Sequence, residues 1–316
     1  MTTLVTGANG FVGKALCERL QRDVPPVRGA VRSLKSELNF VDQIAIGSIS
    51  YDTDWATALI NVQQLVHLAA RVHVINDKST DALAEFRRVN VDGTSALARQ
   101  AAAAGVRRFV FLSSIKVNGE STEPGQPFTA DDAPAPEEPY GFSKDEAEQQ
   151  LRQIASETGM EVVIIRPPLV YGPGVKANFE SMMHWLARGV PLPLANVTNN
   201  RRSLVAIDNL VDLIATCLSR PEAANQTFLA SDGEDLSTAE LLMRMGNAMG
   251  YPARLFSMPD ALLKIGASVL NKSGIYNRLC GSLQLDITKT RQVLCWTPPL
   301  PVDEGLRLAA EGLNAH

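Results

Sequence analysis

The stretch VTGANGFVG, residues 5–13, lies between a short apolar run and the helix-forming run KALCERLQR. Its glycines, Gly7, Gly10 and Gly13, are spaced G-x-x-G-x-x-G. At a strand-to-helix turn such glycines permit a tight bend, let an anion approach the backbone, and let helix and sheet pack closely. The helix beyond them presents unpaired N–H groups to that anion. Asn9, Phe11 and Val12 complete the turn and the first helical residues. This placement, directly after a first strand, predicts a dinucleotide site.

Outward from this turn, apolar runs alternate with helix-like stretches. VRGAVR (27–32), QQLVHLAA (63–70), RRFVFLSS (107–114) and MEVVIIRP (160–167) read as buried strands. NVDGTSALARQAAAAG (90–105) reads as a helix closed by Gly105, and a further helix starts at Pro139. Alternation with continuous apolar strands predicts an α/β, doubly wound parallel sheet of Rossmann type, covered on both faces. The expected division is a dinucleotide-binding part of residues 1–171 plus 201–231, with a smaller substrate part of residues 172–200 plus 232–316. The loop NGESTEPGQPFTADDAPAPEEP (118–139), rich in Pro and acids, is long enough to be functional or mobile.

Composition excludes several classes. The 316 residues carry a net charge of −4 with scattered basic residues, which gives no footprint for nucleic acid. Four cysteines, Cys17, Cys217, Cys280 and Cys295, show neither C-x-x-C spacing nor a histidine pattern. Neither a disulfide framework nor a metal site is expected, and a reducing, cytoplasmic setting is. The chain opens on a strand, so no secretory leader is expected. ALLKIGASVL (261–270) is too short to span a bilayer and carries Lys264. It is expected to cover a pocket rather than lie on a membrane surface.

The second strand ends on Arg32 and Ser33, where a carboxylate would hold a ribose 2′-hydroxyl. An arginine beside a hydroxyl suits the extra phosphate of NADP(H), the favoured cofactor. A solvated arginine with NAD(H) in the site is the alternative. In PYGFSK (139–144), Tyr140 and Lys144 share one face of a helix's first turns. An acid/base is one reading, since a fixed cation favours the phenolate. A surface lysine beside a half-buried tyrosine is the other.

Four landmarks occur in order: TGANGFVG, HLAA (67–70), FVFLSSIKVNG (109–119) and YGFSK. Together they resemble the extended short-chain dehydrogenase/reductases, specifically the nucleotide-sugar epimerases and reductases. The likeness continues through IIRPPLVYGPG (164–174), RRSLVAIDNLVDLI (201–214) and LDITKTRQVLCWTPP (285–299). It is most similar to UDP-glucose 4-epimerase-like enzymes of bacterial O-antigen clusters, among them 4-reductases of lipopolysaccharide synthesis. The resemblance implies that Tyr140 moves the proton, Lys144 holds the nicotinamide ribose, and Ser114 bonds the reacting oxygen. The alternative for Ser113 and Ser114 alike is to cap or terminate the strand, and for Ser113 that is the expected role. Leu68, Ala69, Ala70 and Pro167 would line the cofactor, and Asn90 would shape the helix beneath it. Arg201 would grip a UDP diphosphate, with Arg278 as a second grip. Asn178 would meet the same diphosphate or be an ordinary loop asparagine. A homodimer through the helices of residues 90–104 and 140–157 is implied as well.

Departures narrow the chemistry. The 4,6-dehydratases of the superfamily carry an Asp–Glu pair where this chain has Ile115 and Lys116, so dehydration is not expected. Lys116 either faces the substrate or reaches solvent. Arg71 and His73 depart from the usual galactose-epimerase run, and His73 either lines the sugar pocket or is structural. The expected reaction is NADPH-dependent 4-reduction of a UDP-4-keto-6-deoxy-N-acetylhexosamine to UDP-N-acetyl-quinovosamine or UDP-N-acetyl-fucosamine. The alternative is an NAD-dependent UDP-hexose or UDP-N-acetylhexosamine 4-epimerase. A non-catalytic NADP-binding redox sensor ranks third.

Overall fold

The computed structural model describes residues 2–23, 26–34, 41–72, 81–123, 125–269 and 273–314; His73 lies outside them. Strand β1 (Thr2–Thr6) leads through the glycine turn into α1 (Phe11–Asp23), followed by β2 (Val27–Val31), β3 (Asp42–Ala45) and β4 (Val62–His67). Helix α2 (Ala82–Arg87), a π-helical stretch (Arg88–Gly93) and α3 (Thr94–Ala103) run on continuously. Next come β5 (Arg108–Leu112), a 3₁₀ turn (Ile115–Val117), α4 (Pro139–Thr158), β6 (Glu161–Arg166) and β7 (Leu169–Tyr171). The chain continues with α5 (Ala177–Ala187), β8 (Arg202–Ala206), α6 (Ile207–Ser219), β9 (Thr227–Leu229) and β10 (Asp235–Leu236). Helices α7 (Thr238–Met249), α8 (Asp260–Val269), α9 (Ser273–Cys280), α10 (Thr288–Leu294) and α11 (Val302–Asn314) complete it.

Seven parallel strands form the main sheet in the order β3-β2-β1-β4-β5-β6-β9. Successive strand residues point to opposite faces, and both faces are apolar here. Val5, Val66, Val110 and Val163 meet Leu16 and Leu20 of α1 and Leu210 and Ile214 of α6. Leu4, Leu65, Phe109 and Val162 meet Leu97 and Ala101 of α3 and Leu151 and Ile154 of α4. This two-sided burial is why the strands read as continuous apolar runs. The strand order reverses outward from β1 and β4, so the carboxyl ends of β2, β1, β4, β5 and β6 form one edge with a crevice.

A third apolar cluster gathers α5, α7 and α11 over a small sheet of order β10-β8-β7. Of residues 201–231, then, Thr227–Leu229 supplies the seventh strand of the large sheet, whereas Arg202–Ala206 runs in the small one. The sequence does not signal β3, whose two end residues are exposed, or the two-residue β10. On α8, Leu263 packs into the third cluster while Leu262 and Ile265 are exposed. No helix of the described residues is long and apolar enough to cross a membrane.

Candidate active site

The glycine turn is as tight as its spacing demands. Gly7 takes φ +67° and faces Ala69, whose N a Cβ there would meet at 3.0 Å. A Cβ on Gly13 would lie 2.1 Å from Gly7 O, so helix and turn touch backbone to backbone. Gly10 is exposed, and a Cβ there would meet only Gly7 O. This leaves an open cradle at the N-terminus of α1, the shape and polarity a pyrophosphate needs. Phe11, Val12 and Leu68 are half-buried against the core beneath it, while Asn9, Ala69 and Ala70 stay partly accessible at its rim. Arg32 and Ser33 are exposed at the end of β2 on the same edge, and Pro167 is buried at the end of β6.

A buried histidine shapes the cradle's inner wall. Thr6 Oγ1 accepts the Leu68 and Ala69 N–H groups at 3.2 and 3.3 Å, so its own hydrogen goes to His67 Nδ1, 2.7 Å away. His67 Nε2 must then carry the proton, donating to Thr94 Oγ1 at 3.0 Å. Burial, with the Lys144 charge adding to it, pushes His67 down to about 3. Asn90, buried in the π-helical stretch, receives the Arg71 N–H at 2.8 Å. Its Nδ2 donates to Arg71 O and to Ser143 Oγ, each at 3.0 Å. A π-helical bulge aims that side chain at the HLAA strand end and α4 together.

Tyr140 and Lys144 stand where the i, i+4 spacing puts them, on the first turns of α4, which Pro139 opens. Tyr140 is half-buried and meets the Phe86 ring edge-on, centroids 6.0 Å apart. Lys144 is buried, its Nζ 4.3 Å from the Phe111 ring centroid and 6.0 Å from that of Tyr140. It donates to Leu112 O at 2.7 Å. Burial pushes the Tyr140 phenol up to about 12. Burial also brings Lys144 down to about 7, against the upward pull of Glu148. The expectation that a fixed cation lowers the phenol is therefore not met in the free protein. Desolvation costs each group its charged form, and the ammonium is directed at Leu112 O.

The two serines have different partners. Ser114 Oγ caps the 3₁₀ turn, receiving Lys116 N–H at 3.3 Å, while remaining at the strand end near α4. Ser113 Oγ donates to the buried Glu148 at 2.6 Å. Lys116 is half-buried and ion-paired: Glu138 and Glu120 flank its Nζ at 2.5 and 3.1 Å. The arginines also differ from expectation. Arg201 donates to the carbonyls of Thr198 and Asn200 at 2.9 and 3.0 Å and lies 3.6 Å from Glu240. Its neighbour Arg202, which the sequence reading passed over, opens β8 and donates to Gly281 O at 3.1 Å. Burial first, then the like charge of Arg278, hold Arg202 below its usual range, with Glu120 opposing. Arg278 is exposed on α9, donating to Gly274 O at 3.0 Å, and Asn178 is exposed in the first turn of α5.

The described residues of 118–139 are tied down by backbone bonds. Phe128 N donates to Gln284 O and Phe128 O receives Asp286 N–H, both at 2.8 Å, while Thr122 N donates to Ser282 O at 3.0 Å. Among the described residues no group of three or more His, Cys, Asp or Glu side chains is placed to hold a metal ion.

Comparison with known proteins agrees with this architecture. The profile of the NAD dependent epimerase/dehydratase family matches residues 3–230. A UDP-glucose 4-epimerase of Vibrio cholerae is 47% identical over 309 residues, 98% of this chain and 94% of that protein. One of Mycolicibacterium smegmatis is 30% identical over 333 residues, 98% of each chain. The solved UDP-glucuronic acid 4-epimerase of Bacillus cereus, in complex with NAD, superposes with a TM-score of 0.79 at 20% identity. That match covers 100% of this chain and 99% of that one, and it establishes a shared fold. With a matching profile over most of its length and a relative alike from end to end, the chain belongs to the NAD dependent epimerase/dehydratase family.

Proposed function

We propose that the protein is an NAD-dependent 4-epimerase of UDP-hexoses. The observation that carries this reading is the 47% identity, over nearly the whole of both chains, with a UDP-glucose 4-epimerase. The glycine cradle fits a dinucleotide, and bound there NAD supplies a reversible hydride acceptor. The family's description and the NAD in the solved neighbours favour NAD over the NADP(H) expected from Arg32.

In this reading Tyr140 takes the proton from the sugar's C4 oxygen and returns it after the keto sugar has turned over. Ser114 Oγ holds that oxygen. Lys144, in its charged form, favours the phenolate beside it and holds the nicotinamide ribose. The diphosphate grip passes from Arg201 to Arg202, with Arg278 beside it. Half-buried Arg202 is held below its usual range by desolvation and by the like charge of Arg278, and a dianion between the two would relieve both. The proposal includes a homodimer through α3 and α4.

NADPH-dependent 4-reduction is the second reading, favoured by exposed Arg32 and Ser33 at the end of β2. Purified protein incubated with UDP-glucose should yield UDP-galactose by NMR and should carry NAD that survives gel filtration. Protein that arrives empty, turns over neither sugar, and consumes NADPH with a UDP-4-keto-6-deoxy sugar would replace the epimerase with the reductase.

A further inference from the structure

Behind the reacting groups lies a buried charge cluster that the chemistry above does not use. Glu148 on α4 and Arg166 at the end of β6 are 0% and 2% exposed. They form a bidentate pair, Nε to Oε1 at 2.9 Å and Nη2 to Oε2 at 2.6 Å. Arg166 Nη1 donates to the Asn118 side chain at 2.9 Å, and Arg152 Nη2 donates to Glu148 Oε2 at 2.9 Å. The remaining approach to Glu148 Oε1 is filled by the Ser113 hydroxyl at 2.6 Å. A buried ion pair is seldom retained for stability, because packed apolar side chains in its place are often as stable or more so.

Its location suggests another use. Glu148 sits one helical turn beyond Lys144, Ser113 immediately precedes Ser114, and Arg166 immediately precedes Pro167. The strand end bearing Ser114 is tied to α4 at two points. One is Lys144 Nζ on Leu112 O, and the other is Ser113 Oγ on Glu148. The first tie involves the ammonium that the proposed reaction directs at a ribose. The second involves nothing that reacts. We propose that the Glu148–Arg166 pair, through the Ser113 hydroxyl, is a positioning device. It holds Ser114 in register with Tyr140 and Lys144 whichever partner the Lys144 ammonium is serving. The backbone bonds Ser113 N to Ile165 O at 2.7 Å and Ile115 N to Pro167 O at 3.0 Å complete the clamp on the β6 side.

The catalytic part of this inference rests on the epimerase reading; the positioning part does not. The test compares Ser113→Thr, which keeps the hydroxyl, with Ser113→Val, which has the same shape without it. Amide hydrogen exchange of residues 113–117 is followed in both, without substrate. Ser113→Val should exchange there at least tenfold faster than Ser113→Thr, with the interior of β5 unchanged. With UDP-glucose, kcat of Ser113→Val should be about tenfold below that of Ser113→Thr at similar KM. As a second pair, Glu148→Met combined with Arg166→Leu should fold and melt near the wild type, yet show the same fast exchange and depressed kcat. Equal exchange in the Thr and Val variants overturns the inference whatever the activity. Faster exchange in the Val variant, in a protein that turns over no UDP-hexose, upholds the clamp and sinks the epimerase reading instead.

Discussion

Arg202 opens β8 and Arg201 immediately precedes it, so on an extended chain their side chains leave on opposite sides. Arg202 is the one whose charge feels Arg278. Arg202→Ala should therefore raise the KM for a UDP-sugar roughly ten- to a hundredfold, the worth of a charge-assisted bond of ~1.5–3 kcal/mol, at nearly unchanged kcat. Arg201→Ala should leave KM within a factor of about two. The reverse ranking in steady-state kinetics would return the grip to Arg201. Tyr140→Phe should abolish turnover and leave cofactor affinity by calorimetry unchanged, since it removes a proton donor and little surface. Lys144 makes a prediction about pH. Its folded value, about 7, lies below its ordinary 10.5, so burial of the charged form works against folding. That cost is complete below pH 7, where the amine is charged in both states, and fades as pH rises from 7 to 10.5. Lys144→Met should thus stabilise the protein more at pH 6 than at pH 9, read from urea midpoints at the two values. A larger gain at pH 9 would refute the buried-amine account.

Helix α4 brings the reacting groups together because its first turn touches the 3₁₀ turn beyond β5 without a side chain between them. A Cβ on Gly141 would lie 2.7 Å from Lys116 O and 3.1 Å from Pro136 Cβ. Propensity alone makes Gly141→Ala stabilising by roughly 0.8–1 kcal/mol in a helix. Steric overlap with backbone predicts the opposite sign, a loss of about 1–3 kcal/mol. The displaced first turn should also lower kcat about tenfold. Denaturant titration and kinetics on this variant decide between propensity and contact; a more stable, fully active Gly141→Ala would show that the turn can give way. At its other end α4 is capped by Gly159, which takes φ +76°.

Across the whole molecule, the two sheets are joined by the segment that composition marks as loose. Residues 118–139 bond through Thr122 and Phe128 to residues 282–286, and Lys289 meets Asp131 at 2.7 Å. The same segment supplies Glu120 and Glu138, which hold Lys116 beside the site. A pinned segment should resist limited proteolysis in the wild type. Phe128→Ala, which removes the ring packed on Gly119 and the core, should open cleavage between residues 118 and 139 well before the rest of the chain. Equal cleavage of wild type and variant would show that the segment is not held.

The glycine spacing, the apolar runs and the Tyr140–Lys144 interval were enough to specify the parallel sheet, the cradle and the placing of Tyr140 and Lys144 on one helix face. Each is a local pattern, set by strand and helix periodicity and by the backbone freedom of a turn. The charge states of Tyr140 and Lys144 were not legible, because desolvation depends on what surrounds them in three dimensions. The tie of Ser113 to α4 depends on Glu148, which stands 35 positions from it. The choice of Arg202 over Arg201 depends on which side of β8 meets α9. A one-residue step along a strand reverses the direction of a side chain. Sequence alone thus located the arginines, and only the packing of distant elements brings Arg202 under the influence of Arg278.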